Sequence, residues 1–85
     1  MSDGYEVFDQ LGAELRRVEC DAVAQRIQVL LHETAWTTSS ELLGALGQTV
    51  LGIPTETVRT HEKIWELRER CLALVRQAWP AFGRL

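Results

Sequence analysis

Apolar residues recur along the first part of the chain at alternating spacings of three and four: Phe8, Leu11, Leu15, Val18 and Ala22. That spacing draws one stripe down a helix, the seam of a helix packed lengthwise on another. The segment from Tyr5 to Thr34 holds no proline and one glycine, Gly12, and it follows Ser2 and Asp3, both good N-cap residues. A helix is predicted over the whole stretch. At Val23 the apolar set changes face, because Val23, Ile27, Leu30 and Leu31 lie about 100° or more around the axis from the first stripe. A kink at Cys20-Asp21, with Asp21 capping a new start, accounts for this, and so does one straight helix meeting different neighbours at its two ends. With neither glycine nor proline there, the straight helix is the expectation.

Ala35 to Ser40 interrupts the pattern, and Thr38-Ser39-Ser40-Glu41 matches the capping box in which a hydroxyl and a carboxylate satisfy free amides reciprocally. A second helix is therefore predicted from near Ser39 through Leu42, Leu43, Leu46, Val50 and Leu51, stopping at Gly52-Ile53-Pro54. Gly44 and Gly47 lie inside it and each costs about 1 kcal/mol relative to alanine. Close approach of another backbone explains them, and so does a short helix that is merely weak. Pro54-Thr55 opens a third helix that meets no further glycine or proline before Pro80. Its seam is Ile64, Leu67, Cys71, Leu74 and Ala78, with Glu66 and Arg70 as a favourable i,i+4 pair on the solvated side. Beyond Pro80, Phe82 is expected to fold back onto the bundle.

At about 1.5 Å per residue these helices measure roughly 45, 20 and 37 Å. One short helix cannot cover two long ones. The expected fold is all-α, with two long antiparallel helices plus one short helix in a single domain over residues 1–85, its exposed seams covered by a second copy as a homodimer. The chain length supports that picture, since a domain of this size buries only about 60% of the surface its unfolded chain exposes.

Trp36, Trp65 and Trp79 add a large aromatic payload for a core or an interface. Trp65 adjoins Ile64 and is expected in the core, whereas Trp36, at a helix boundary, and Trp79, beside Pro80, are the candidates for a partner surface together with Phe82. No apolar run reaches the roughly 20 residues of a membrane span, and the opening residues lack the pattern of a secretory signal. The expected location is cytoplasmic, with no membrane partner. Cys20 and Cys71 lie on apolar helix faces without a CxxC companion and read as buried thiols; a disulfide between the first and last helices is the alternative.

The net charge of −3 is unevenly spread, −5 up to Gly52 and +2 from Ile53 onward. An acidic first helix favours packing against the basic last one or against a basic partner, with Glu14 and Asp21 as candidate contacts among Glu6, Asp9 and Glu19. The same balance argues against a nucleic-acid binder. A helix-turn-helix reading would start its recognition helix at Thr55, Glu56, Thr57 and Arg59, with Lys63 following, but Glu56, Glu62 and Glu66 share that segment.

His32-Glu33 and His61-Glu62 recur before Trp36 and Trp65, and imidazole with carboxylate suits zinc or iron. Adjacent residues point about 100° apart on a helix, and HExxH and ExxH spacings are absent, so no cofactor is predicted. Thr37, Thr38, Ser39 and Ser40 resemble a nucleophile-rich loop, yet helix capping accounts for them. The chain shows no nucleophile with a base, no carboxylate pair and no phosphate cradle, and it is not expected to be an enzyme. The leading expectation is a small helical protein–protein interaction module, a regulator, adaptor or inhibitor. A helical bundle that binds a small molecule or metal is the second, and a helix-turn-helix-like binder the third.

Overall fold

The long first helix that the sequence predicts does not form, because the chain turns back on itself after little more than three turns, less than half way along it. The computed structural model describes residues 5–36 and 38–82, without the side chain of Ser39. The expected caps Ser2 and Asp3, and Thr37 of the hydroxyl-rich loop, lie outside the described residues. Helix α1 (Glu6–Arg17) ends where Cys20 N–H donates to Leu15 O at 2.8 Å and Glu19 N–H to Arg16 O at 3.1 Å. Those two bonds are the Schellman closure, which requires a left-handed residue at the position of Glu19. Glu19 indeed has φ 64°, at a cost of roughly 1 kcal/mol for a residue with a Cβ. Helix α2 (Asp21–His32) follows at once and lies antiparallel to α1. Asp9 near the start of α1 reaches His32 at the end of α2, and Arg16 near the end of α1 donates to Gln28 at 2.9 Å.

Helix α3 (Ser39–Leu51) begins and ends as predicted. Its amide at Glu41 donates to Thr38 Oγ1 at 3.1 Å, as a capping box requires. The third predicted helix is also interrupted, giving α4 (Thr55–Thr60) and α5 (Glu62–Ala78). Three threonines and a valine in the six residues of α4 are poor helix formers, and their hydroxyls compete for backbone carbonyls. Thr60 Oγ1 donates to Glu56 O at 2.8 Å, and His61 Nδ1 lies 3.0 Å from Thr57 O while His61 takes an extended conformation. That ring carries a proton on Nδ1 when it closes the end of α4 in this way.

The two breaks supply the missing wall of the bundle. α1 packs on α2, α2 on α3, α3 on α5 and α5 on α1, a closed ring of four helices, and the one helix that α4 packs on among the described residues is α5. A 45 Å rod would not fit a body whose longest extent is 34 Å. Phe8, Leu11 and Leu15 of the first predicted seam and Ile64, Leu67 and Cys71 of the last are at most 1% exposed, so most of both seams is buried within one chain. The exposed seams that called for a second copy are therefore not present. Val18 and Leu74 are half-buried at the ends of the stripes and Ala22 is exposed. The described residues contain no strand, and none of their helices is long and apolar enough to cross a membrane.

Candidate interaction surface

The C-terminal arm crosses α3 on its two glycines. A Cβ at Gly44 would stand 3.3 Å from Trp79 Nε1, and one at Gly47 would stand 2.6 Å from Phe82 Cζ and 2.9 Å from Val75 Cγ1. The close neighbours that require these glycines are thus side chains of the last helix and its tail, and not another backbone. Trp79 Nε1 donates to Ser40 O at 2.7 Å, Phe82 N–H to Trp79 O at 2.8 Å, and Arg76 Nε to Phe82 O at 3.2 Å. Phe82 folds back as predicted and is half-buried, while Trp79 keeps 45% of its surface exposed.

The other residues singled out in the sequence are dispersed. Trp36 is half-buried against the core, and its indole donates to Leu30 O at 2.6 Å, satisfying a carbonyl at the end of α2. Glu14 is half-buried and pairs with Arg17 at 3.8 Å, while Asp21 is exposed in the first turn of α2, where its charge favours the helix dipole. Neither acid lines the hollow that holds Trp79 and Phe82.

Trp65 lies outside the core, contrary to expectation, with 51% of its surface exposed. Ile64 beside it is buried, and one residue along a helix turns the side chain about 100°, enough to carry Trp65 over the edge of the buried arc. It lines a hollow of about 270 Å³ with Leu51, Ile53, Val58, Arg59 and Arg68. Leu51 is 39% exposed there. The signal for it was angular, since Leu51 sits about 140° round α3 from Leu46 and cannot share its buried face.

A groove of about 320 Å³ runs between α1 and α2, floored by Gly12, Ala24 and Ile27 and rimmed by Asp9, Arg16 and His32. His32 Nε2 stands 2.8 Å from Asp9 Oδ1, so each histidine has a local partner, and no three His, Cys, Asp or Glu side chains gather as metal ligands among the described residues. The break at His61 divides the segment considered for DNA recognition, leaving Arg59 on the six-residue α4 and Lys63 on α5. Cys20 and Cys71 are free thiols. Burial pushes the Cys71 thiol from an ordinary 9.0 up to about 12, which leaves it a packing group rather than a nucleophile.

No family model, no curated protein and no solved structure matches this chain.

Proposed function

We propose that this protein is a non-catalytic helical interaction module that binds protein partners, a second copy of itself included, through its surface tryptophans. The observation that carries this reading is that the core is complete without them. Every fully buried large side chain is Phe, Leu, Ile, Val or Cys, while Trp65 and Trp79 stay 51% and 45% exposed. Half of an indole side chain of about 200 Å², at about 25 cal/mol per Å², is roughly 2–3 kcal/mol per tryptophan that only a partner realises. Tryptophans with that much unspent apolar surface are the common anchors of protein interfaces. Self-association here rests on the Trp79 face and not on open helix seams. The free thiols suit a reducing compartment, and we place the protein in the cytoplasm.

The test is affinity purification of the tagged chain from its native cell, with W65A and W79A in parallel. A protein held in stoichiometric amount by the parent chain and lost from either variant, at unchanged helical circular dichroism, supports the reading. Retention indifferent to both substitutions, or a parent chain that emerges alone and monomeric, refutes it.

A further inference from the structure

The outer face of α3 has a hollow on each flank, and the exposed indole of Trp79 stands as a knob on the rim of one of them. No charged residue occurs between Glu41 and Glu56, so most of this surface helix shows water an uncharged side on which Ala45 and Thr49 are half-buried and Gln48 exposed. Two hollows meet there and share Ala45 and Gln48. The one toward α5 measures about 400 Å³ and is bounded by Glu41, Gly44, Trp79 and Phe82. The one toward α2 measures about 510 Å³ and is bounded by Ala22, Val23, Arg26, Thr49 and Gly52. Glu41 and the exposed Trp79 thus stand beside the N-terminal half of α3, while Arg26 and the apolar hole stand beside its C-terminal half on the opposite flank.

A half-turn about an axis through Ala45 and Gln48, normal to this face, exchanges end for end and flank for flank together. It lays knob on hole and acid on base, twice. We propose that this face is the contact surface of a two-fold symmetric dimer, in which the second copy's Trp79 fills the hollow beside Ala22 and Val23 while its Glu41 pairs with Arg26. This rests on the self-association put forward above and names its geometry. A two-fold contact must be self-complementary, and this face offers an exposed ring and a hollow on opposite flanks with an acid and a base beside them. Arg26 is exposed and enters no ion pair among the described residues, so its guanidinium is available to the carboxylate and to the indole face. The Trp79 N–H is already taken by Ser40 O, so covering the ring strands no donor.

The experiment is sedimentation equilibrium over a wide concentration range on the parent chain, R26E, E41R, the double swap R26E/E41R, Q48E and W65A, each checked for helical circular dichroism. The expected result is a dimer that each single charge swap weakens at least tenfold and the double swap restores to within a few-fold. Q48E sets two like charges beside the axis and, being a substitution at an exposed position, weakens the dimer without touching the fold. A parent chain that stays monomeric at high micromolar concentration overturns both this interface and self-association. A dimer that survives R26E and Q48E but dissolves with W65A overturns this interface alone and moves self-association to the Trp65 hollow.

Discussion

Gly47 and Gly12 should respond to alanine with opposite signs. At Gly47 the new methyl would lie 2.6 Å from Phe82 Cζ and 2.9 Å from Val75 Cγ1, against the roughly 3.5–4.0 Å of relaxed carbon contacts. Phe82 lies at the far end of the tail and can leave. Val75 is 0% exposed on α5 and cannot yield without moving helix against helix. Alanine gains about 1 kcal/mol of helix propensity. Against that stand about 1–3 kcal/mol of overpacking at Val75 and about 1–2 kcal/mol for exposing the half-buried Phe82 ring. G47A is expected to destabilise by about 1–4 kcal/mol, and at about 4–8 °C per kcal/mol for a domain of this size its Tm falls by roughly 4–30 °C. At Gly12 an added Cβ meets nothing within 4 Å. G12A keeps its propensity gain of about 0.5–1 kcal/mol and its Tm rises. Urea and thermal unfolding followed at 222 nm give both values, and F82A combined with G47A separates the tail from Val75, since the cost of G47A should shrink but not vanish without Phe82. Equal stabilisation by G12A and G47A would refute the docking of α5 and its tail on the α3 glycines.

E19G should stabilise the chain by up to about 1 kcal/mol in denaturant titrations, because glycine adopts the left-handed conformation that Glu19 holds at φ 64° without a Cβ penalty. T38A should cost about 1 kcal/mol by the same assay, from loss of the hydroxyl that accepts Glu41 N–H. The native state holds the Cys71 proton to about 12 where an unfolded thiol loses it near 9.0, so its contribution is intact below pH 9.0 and is lost as pH climbs toward 12. That loss proceeds at up to about 1.4 kcal/mol per pH unit. Unfolding of C71A in parallel should show a shallower alkaline decline, and identical slopes would contradict the burial.

Much of the architecture was legible. Thr38 and Gly52-Ile53-Pro54 bound α3 as their chemistry requires, and the stripes through Phe8, Leu11 and Leu15 and through Ile64, Leu67 and Cys71 are the buried ones. What escaped were two breaks without the usual punctuation. The turn after Arg17 is closed by glutamate where glycine is the common choice, and its one trace was the shift of apolar face at Val23. The break at His61 comes from accumulated β-branched residues and side-chain bonds to carbonyls, with neither proline nor glycine at the site. Each miss lengthened a helix, and together they left the bundle a wall short and suggested a second copy to supply it. The surface was harder. Neighbouring positions such as Ile64 and Trp65 differ by a rotation that decides burial, and the spacing of a stripe does not fix its own edge.

The ring of helices has one seam that is not local. α1 with α2, α2 with α3 and α4 with α5 are neighbours along the chain, and α3 reaches α5 past a single short helix. Only α1 against α5 joins the two ends of the sequence. Loop-closure entropy therefore weighs on one contact, and a chain so dominated by nearby pairings should fold in microseconds to milliseconds. The same seam is where the ring opens, and amide exchange in native conditions should reach α1 and the last turns of α5 before the middle of α3.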